Sequence, residues 1–282
     1  MRILLTGGSG FIGGAFLRAW KTKYDLYAPT HQELDLLDAD AAEDYLRENC
    51  FDLILHTANT NNVVHQDRAD RQLDFNLRMF CNLERCRDLY GKMYYFGSGA
   101  EYDMRCYQPR MTEDYFGSHI PQDPYGFSKY IMSRMAETSE NIYDFRLFGV
   151  YGPGEEWRRR FISNMIYQAA EQSEMKMDRN MMFDYLYITD LIAAAEMLIG
   201  VTPSRHSYNL CSGQAVSLRA LADIVKEETG SRAEIVMNST EWKPEYTGDN
   251  SRFVREFGRF EMTPVRDAIR QMIAYYRENG FH

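Results

Sequence analysis

The sequence predicts an α/β protein in which a doubly wound parallel sheet, residues 1–150, carries a smaller C-terminal α+β lobe, residues 151–282. The first half alternates short apolar segments with amphipathic ones, the pattern of β-α-β units and a parallel sheet. After Gly152-Pro153-Gly154, helical segments dominate and are joined by short strands and turns. A chain of 282 residues can bury a core of this size, and we expect elements of the two parts to interleave.

The individual elements follow from apolar runs and from helical periodicity. The apolar run Ile3-Leu4-Leu5 opens the first strand. The strands are predicted at Arg2–Thr6, Asp25–Ala28, Asp52–His56, Lys92–Phe96 and Tyr143–Leu147. The first-half helices are predicted at Phe11–Trp20, Ala41–Asn49, Arg71–Tyr90 and Tyr125–Ser139. The second-half helices are predicted at Phe161–Gln172, Thr189–Ile199, Leu218–Thr229 and Pro264–Glu278.

Composition excludes several classes of protein. The formal net charge of −9 argues against a nucleic-acid binder, which usually carries a basic stripe. Charges interrupt every apolar stretch, so we predict no membrane span and no signal peptide. The five cysteines lack C-x-x-C spacing and the six histidines form no H-E-x-x-H motif. We therefore expect a reduced, cytoplasmic protein without a metal.

A glycine-rich turn follows the first strand directly. The segment Thr6–Gly13 reads Thr-Gly-Gly-Ser-Gly-Phe-Ile-Gly and leads into the first helix. In this context Gly7 permits a tight turn, Gly10 lets the backbone approach a pyrophosphate, and Gly13 lets the helix pack against the strand. Together with the N–H groups of Phe11 and Ile12 at the helix N-terminus, the loop predicts a Rossmann-type dinucleotide site.

The choice between NADP and NAD depends on the end of the second strand. NAD enzymes usually place an acid there to hold the ribose hydroxyls, whereas this chain has no acid before Glu33. His31 is a candidate hydrogen-bond partner of the cofactor. Asp35 and Leu36 are candidates for the residues that lie under its adenine ring. A helix-capping role for Asp38 or Asp40 is equally compatible with this stretch. We favour NADP and keep NAD as the alternative.

A tyrosine and a lysine four residues apart predict the chemistry. Tyr125 and Lys129 fall on one face at the start of a predicted helix. A phenol with a pKa of about 10 is a poor proton shuttle at neutral pH, and a neighbouring ammonium is expected to lower that pKa. Lys129 is also expected to reach the nicotinamide ribose hydroxyls, which makes Tyr125 and Lys129 candidates for cofactor binding. Ser98, at the end of a strand, is expected to hydrogen-bond the substrate oxygen.

These motifs, in this order, give the chain a clear family resemblance. It resembles the extended short-chain dehydrogenase/reductases of the nucleotide-sugar epimerase, dehydratase and reductase family over nearly its whole length. The matching segments are Thr6–Gly13, His56–Ala58, Asn76, Ser98, Tyr125 with Lys129, Arg146–Gly154, Asp184–Asp190, Tyr208–Gly213 and Tyr246–Ser251.

The resemblance implies roles for particular residues. Ser98, Tyr125 and Lys129 would form the catalytic triad, and Thr57 and Ala58 would join the glycine loop in binding the cofactor. The C-terminal lobe would hold the diphosphate of a nucleotide sugar. The other substrate-binding residues would be Gly99 and Arg160, although Arg158–Arg160 also fits a solvated helix start. A homodimer through a four-helix interface, formed by Arg71–Tyr90 and Tyr125–Ser139, is implied as well.

The residues after Ser98 narrow the reaction. Dehydratases of this family carry an Asp-Glu pair there, because removing water needs an acid and a base, and here the positions are Gly99 and Ala100. At the position of Ala100, related decarboxylases have a Glu and the epimerase-reductases of the fucose pathway have a Cys. The resemblance therefore disfavours decarboxylation and 3,5-epimerisation as well. Reduction of a 4-keto sugar and 4-epimerisation through a transient ketone both remain open.

We favour the reductase, with a 4-epimerase holding NAD tightly as the alternative. Glu101-Tyr102 and Glu33–Asp38 resemble 4-keto-sugar reductases, whereas Tyr246–Ser251 resembles sugar epimerases. Gly149 also replaces an Asn that is common in the family's substrate site. The third alternative, an NAD(P)-binding regulator without activity, is disfavoured because a regulator needs no Ser98–Tyr125–Lys129 set.

Overall fold

The computed structural model describes residues 1–60, 71–171 and 173–281. A six-stranded parallel sheet with the order β2-β1-β3-β4-β5-β9 forms its centre. The strands of this sheet are β1 (Arg2–Thr6), β2 (Asp25–Tyr27), β3 (Leu53–His56), β4 (Lys92–Ser98), β5 (Ile142–Leu147) and β9 (Ser207–Leu210). The first-half helices are α1 (Phe11–Trp20), α2 (Ala39–Asn49), α3 (Gln72–Glu84) and α4 (Pro124–Thr138).

Side chains on alternate sides of the strands bury two separate cores. Ile3 and Leu5 point into the core formed with α1, whereas Leu4 points into the core formed with α2, α3 and α4. Leu53 and Ile54 repeat this alternation on β3. Because side chains alternate along a strand, a sheet covered on both faces needs apolar residues at every position. This requirement explains the uninterrupted apolar runs that predicted the strands.

The second half of the chain adds two smaller sheets and a strand of the main one. One small sheet has the order β10-β8-β6, and the other pairs β11 with β7. Their strands are β6 (Gly149–Tyr151), β7 (Glu174–Met177), β8 (Met182–Tyr187), β10 (Ala215–Ser217) and β11 (Glu234–Met237). The remaining helices are α5 (Phe161–Glu171), α6 (Ile188–Met197), α7 (Leu218–Thr229), α8 (Ser251–Phe257) and α9 (Val265–Asn279).

The α/β fold with a doubly wound parallel sheet is confirmed, and the differences from prediction are local. Strand β4 continues two residues past the predicted Phe96 and ends at Ser98. The helix predicted to reach Tyr90 ends at Glu84, and a separate 3₁₀ turn covers Arg87–Leu89. Strand β6 and helix α8, which are short elements, were not among the predicted elements. Gln172, predicted as the end of a helix, lies outside the described residues.

Strand β9 bears on the division of the chain at residue 150. It comes from residues 207–210 and pairs in parallel with β5, with Asp144 opposite Ser207 and Leu147 opposite Leu210. A strand from the second half therefore completes the sheet of the first half. Tyr208 stacks on Phe145 across this pair, with ring centroids 5.6 Å apart.

Candidate active site

The glycine loop lies at the carboxyl end of β1, and two of its glycines, Gly7 and Gly13, have no room for a side chain. Gly7 has φ of +74°, and a Cβ added there would lie 2.7 Å from the backbone of Ala58. A Cβ on Gly13 would lie 2.1 Å from the Gly7 carbonyl oxygen and 2.7 Å from Thr57 Oγ1. Helix α1 begins directly after Gly10, which makes no side-chain cap. The loop thus presents backbone N–H groups at a helix N-terminus, the arrangement that fits a pyrophosphate.

This loop forms one wall of a cavity of about 770 Å³. Nine of the predicted site residues line the cavity: Gly10, Phe11, Ile12, Gly13, Thr57, Ser98, Tyr125, Lys129 and Arg160. Gly7 and Ala58 lie behind the wall, where each packs against the other. The Thr57 hydroxyl donates to the Thr6 carbonyl (2.6 Å), which ties the end of β3 to the loop.

The predicted adenosine contacts are not brought to the cavity. His31 is 73% exposed and lies 3.5 Å from the Asp35 carboxylate. Leu36 is buried in the core on the α2 side of the sheet. Asp38 caps α2 by accepting the N–H groups of Asp40 and Ala41, so the capping interpretation of this stretch is confirmed.

Ser98 is held at the end of β4 by its own loop. Its backbone N–H donates to Glu101 Oε1 (2.8 Å), and its hydroxyl accepts the N–H of Ala100 (3.2 Å). Glu101 is fully buried and also accepts a hydrogen bond from Arg146 Nε (2.8 Å). Arg146 is fully buried as well and donates to Asp144 (2.9 Å). A buried ionic network therefore lies directly beneath Ser98.

Lys129 is buried beside the same network. Its ammonium donates to the Phe96 carbonyl (3.1 Å) and lies 5.8 Å from the centre of the Tyr125 ring. Burial lowers the pKa of Lys129 to about 8, and the negative charges of Glu101 and Asp144 offset part of that effect. The ammonium thus titrates close to neutral pH.

Tyr125 stands in the first turn of α4, where Asp123 accepts the N–H of Gly126 (2.8 Å) as the N-cap. Burial raises the pKa of Tyr125, although a hydrogen bond with Ser98 and the charge of Arg160 act in the opposite direction. The net direction of this pKa shift is therefore opposite to the lowering that we expected. A raised pKa keeps the phenol protonated, which is the form that can donate a proton to a ketone oxygen.

The two predicted substrate residues have different positions. Gly99 is buried behind the cavity wall, and its carbonyl accepts a hydrogen bond from the Tyr107 hydroxyl. Arg160 lines the cavity near Tyr125. Arg158 instead stacks on Trp157, with its guanidinium 4.4 Å from the ring centre. The basic run thus directs one arginine into the cavity and another onto a tryptophan.

Sequence reasoning missed the part of the cavity wall that is formed by residues after β5. This wall includes three aromatic side chains and two acids, namely Phe148, Phe183, Tyr246, Glu155 and Glu156. Burial raises the pKa of Glu155 to about 7, and its carboxylate accepts a hydrogen bond from Ser163. Phe148 and Tyr246 fall inside segments that carried the family resemblance, and Phe183 directly precedes one, which is the signal that could have located them.

The arrangement has a definite chemical capacity. Three residues able to exchange or donate protons, Ser98, Tyr125 and Lys129, line the same cavity as the glycine-loop segment Ser9–Gly13. Within residues 1–60, 71–171 and 173–281, no group of His, Cys, Asp or Glu side chains is placed to hold a metal ion. Across the same residues, no helix combines the length and apolar character that crossing a bilayer requires.

Comparison with known proteins agrees with this geometry. A GDP-6-deoxy-D-mannose reductase of Pseudomonas aeruginosa is 27% identical, over 87% of this chain and 93% of that protein. A GDP-mannoheptose C4 reductase of Campylobacter jejuni, solved with NADP bound, superposes with a TM-score of 0.81 at 18% identity, covering 98% of each chain. A UDP-glucose 4-epimerase of Thermotoga maritima superposes with a TM-score of 0.84, also at 18% identity, covering 99% of each chain.

The two superpositions are below 25% identity and therefore show a shared fold. The family is shown by a match over residues 3–211 to the model of the NAD dependent epimerase/dehydratase family. That span contains the glycine loop, Ser98, Tyr125 and Lys129. The chain belongs to the NAD dependent epimerase/dehydratase family and is an NAD(P)-binding enzyme of the extended short-chain dehydrogenase/reductase type.

Proposed function

We propose that the enzyme reduces the 4-keto group of a nucleotide-activated sugar with NADPH. The observation that carries this proposal is the convergence of Ser98, Tyr125 and Lys129 in the cavity that the glycine loop closes. The cofactor supplies a hydride when bound. Ser98 and Tyr125 hold the ketone oxygen, Tyr125 provides the proton, and Lys129 lies behind the phenol.

The surroundings of Ser98 favour hydride and proton transfer over dehydration. Gly99 and Ala100 follow Ser98 without an ionisable group, and the carboxylate of Glu101 is fully buried. Both oxygens of Glu101 already accept hydrogen bonds, one from Ser98 and one from Arg146. This carboxylate is therefore not available as a base for removing water.

NADP is favoured because the loop after β2 presents no free carboxylate to a ribose. Glu33 Oε2 accepts the N–H of Thr30 (2.7 Å) and its hydroxyl (2.9 Å), so the first acid after β2 is turned onto its own loop. The Campylobacter reductase was solved with NADP, and the Pseudomonas relative is a GDP-sugar reductase. We therefore propose a GDP-sugar as the first substrate to examine, with its diphosphate near Arg160.

We also propose a homodimer through α3 and α4. Phe80 and Leu83 of α3 are fully buried within the chain and are not available to a partner. Met79, Tyr130 and Met135 are half-buried and remain candidates for the contact. Sedimentation of the wild-type protein and of Met135→Glu tests this assignment. The assignment predicts a dimer that the charge dissociates, and a wild-type monomer would contradict it.

The reaction itself is tested by following NADPH absorbance with a panel of GDP-, UDP- and dTDP-linked 4-keto-6-deoxy sugars. The proposal predicts stoichiometric NADPH consumption with at least one of them and weak retention of the cofactor through dialysis. NAD that stays bound through dialysis, together with interconversion of 4-epimers without net oxidation, would establish the epimerase alternative. Failure to bind either cofactor would contradict the enzyme assignment.

A further inference from the structure

A side-chain amide without a hydrogen-bond partner lies in the wall of the cavity, just after β3. Asn59 lines the cavity together with Thr57, and its amide oxygen Oδ1 is buried. Among the residues that the structure describes, none donates a hydrogen bond to this oxygen. Buried polar atoms of folded proteins are nearly always hydrogen-bonded, so each exception needs an explanation. The cavity itself is the place to look for the missing donor.

The chain before Asn59 is fixed to the glycine loop. The N–H and the hydroxyl of Thr57 both donate to the Thr6 carbonyl, at 3.3 and 2.6 Å. The N–H of Ala58 donates to the Thr6 hydroxyl (3.3 Å). The backbone of Ala58 also packs so closely on Gly7 that a Cβ added to Gly7 would lie 2.7 Å away. Asn59 is therefore held next to the loop that fits a pyrophosphate.

The chain after Asn59 is fixed to helix α3. The Thr60 N–H donates to Asn76 Oδ1 (2.7 Å). The Thr60 carbonyl accepts from the amide groups of Asn76 (2.9 Å) and Gln72 (3.1 Å). Asn76 and Gln72 are buried and spend their amides on holding the main chain. The Asn59 amide oxygen lies between two anchored neighbours and has no such task.

The fold does not account for a polar side chain at position 59. Burying an amide oxygen without a donor costs free energy. The anchors on Thr57, Ala58 and Thr60 hold the main chain, and none of them uses the Asn59 side chain. A hydrogen-bond donor that enters the cavity would remove this cost. The unpartnered oxygen thus fits a ligand contact better than a structural role.

The order of the strands indicates which part of a dinucleotide supplies the donor. The end of β3 lies between β1, which carries the glycine loop, and β4, which ends at Ser98. Strands β2 and β3 lie on opposite sides of β1, and open α/β sheets bind ligands at such a switch point. Pyrophosphate oxygens accept hydrogen bonds and cannot satisfy Oδ1. The hydroxyls of the ribose between the pyrophosphate and the nicotinamide are donors that fall in this interval.

We propose that Asn59 binds a hydroxyl group of the nicotinamide ribose through its amide oxygen. The hydroxyl donates to Oδ1, which then has the partner that it lacks in the free protein. Lys129, the other expected contact of this ribose, comes from α4 and not from β3. The role rests on NAD(P) binding and not on the direction of the reaction, so it holds for a reductase and for an epimerase alike.

Asn59→Leu keeps the size of the side chain and removes the acceptor. We expect the dissociation constant of NADPH to rise about tenfold, the effect of one hydrogen bond in a buried site. Adenosine 2′,5′-bisphosphate carries the adenosine half of the cofactor and lacks the nicotinamide ribose. Its dissociation constant should therefore stay within about twofold, as for a site remote from the change. Fluorescence titration of NADPH and calorimetric titration of the bisphosphate measure the two constants.

The stability of the free protein separates a ligand contact from a structural role. Because the Asn59 oxygen has no described partner to lose, Asn59→Leu should unfold at the same urea concentration as the wild type or at a higher one. Gln72→Met is the matched control, because Gln72 lines the same cavity and its amide holds the Thr60 carbonyl. That variant should unfold at a lower urea concentration. An equal loss of stability in Asn59→Leu would overturn the proposal.

Two binding results would also overturn the role of Asn59. One is an unchanged NADPH affinity in Asn59→Leu, and the other is an equal loss of affinity for NADPH and for adenosine 2′,5′-bisphosphate. The proposed reduction fails separately, if the wild-type protein binds NADPH and turns over none of the sugars. A wild-type protein that binds NADH alone would contradict the NADP assignment, and the same comparison would then use NADH and AMP.

Discussion

The cofactor wall and the substrate wall of the cavity are built in different ways. The cofactor wall presents the backbone of one continuous segment, Ser9–Gly13, where a Cβ on Gly13 would lie 2.1 Å from the Gly7 carbonyl oxygen. The substrate wall consists of side chains from separate elements, including Phe148, Phe183 and Tyr246. A wall made of backbone is fixed by a short glycine pattern, whereas a wall made of side chains can change its specificity one residue at a time.

The catalytic residues lie between the two walls and share one support. Ser98 and Lys129 both rest on the buried network of Glu101, Asp144 and Arg146. Gly97 is part of this support, since a Cβ there would lie 2.1 Å from Asp144 Oδ1 and 2.3 Å from Glu101 Oε1. Changes in each wall should therefore affect binding of one ligand, and changes in the support should affect stability and chemistry together.

The largest effect is expected where the two walls meet. Tyr125→Phe removes the proton donor and should lower kcat about a thousand-fold, within the range for loss of a general acid. The dissociation constant of NADPH should remain near the wild-type value, because the glycine loop is unchanged. Stopped-flow turnover and fluorescence titration of NADPH measure the two quantities. Activity close to that of the wild type would remove Tyr125 from the mechanism.

A pair of neighbouring glycines tests the backbone character of the cofactor wall. Gly13→Ala should weaken NADPH binding more than tenfold and destabilise the fold by about 2 kcal/mol, because the new Cβ meets backbone. In Gly14→Ala the nearest atom is the flexible Arg18 guanidinium at 3.3 Å. That variant should bind NADPH normally and gain up to about 1 kcal/mol of helix stability. Equal NADPH affinities in the two variants would contradict the assignment of this loop.

The shared support is tested by Glu101→Gln. An amide cannot accept from both Ser98 and Arg146, so a buried donor loses its partner. The free energy of unfolding should fall by about 2 kcal/mol, as for other buried hydrogen-bond donors that lose their partner. Glu43→Gln is the control, since Glu43 pairs with Arg47 on the surface at 2.8 Å, and it should cost less than about 0.5 kcal/mol. Urea unfolding measures the free energy of unfolding of both variants. A similarly small loss of stability in both would show that the buried network does not support the catalytic residues.

The pH dependence reports on Lys129. Its folded-state pKa is about 8, below the 10.5 of an unburied lysine. The ammonium is lost as pH rises through about 8, so kcat/KM should decline above that pH. The free energy of unfolding changes in the opposite direction. Between pH values near the two pKa values, the unfolded chain binds more protons than the folded one, so stability rises with pH over that interval. A pH profile of kcat/KM that is flat between pH 7 and pH 9 would contradict a role for the charged form.

The smallest effect is expected in the substrate wall. Arg160→Ala should raise KM for the sugar nucleotide about tenfold, as for loss of one charge-assisted hydrogen bond to a phosphate. The NADPH dissociation constant should not change. Arg158→Ala is the control, because its guanidinium stacks on Trp157. If Arg158→Ala raised KM more than Arg160→Ala, the diphosphate position would need to be reassigned.

The same contrast explains which features the sequence could predict. The glycine loop and the first helix depend on local spacing, and Phe11–Trp20 is observed as predicted. Ser98 and the Tyr125–Lys129 pair depend on strand ends and helical spacing, which are also local. Tyr246 and Phe183 meet only because β8 and a later segment pair, with Asp184 N–H donating to the Tyr246 carbonyl. No local pattern signals such contacts between distant segments.

The segment after β2 shows another limit of local reasoning. The sequence left Asp38 open as a neighbour of the adenine or as a helix cap, and the structure makes it the cap of α2, while the side chain of Leu36 packs into the core. Both positions satisfy structural needs, burial and helix capping, that compete with ligand binding for the same residues. The sequence alone does not rank these needs, because the packing of α2 against the sheet decides between them.

The central claim is hydride transfer from NADPH to C4 of a nucleotide sugar, and deuterium transfer tests it most directly. The enzyme is incubated with the sugar nucleotide whose reduction consumes NADPH. The NADPH carries deuterium at C4 of its nicotinamide ring, on one face in the first experiment and on the other face in the second. The product is then examined by NMR and mass spectrometry. We predict one deuterium at sugar C4 from a single face of the cofactor. Deuterium that is absent from the sugar, or product formed without NADPH oxidation, would contradict the claim.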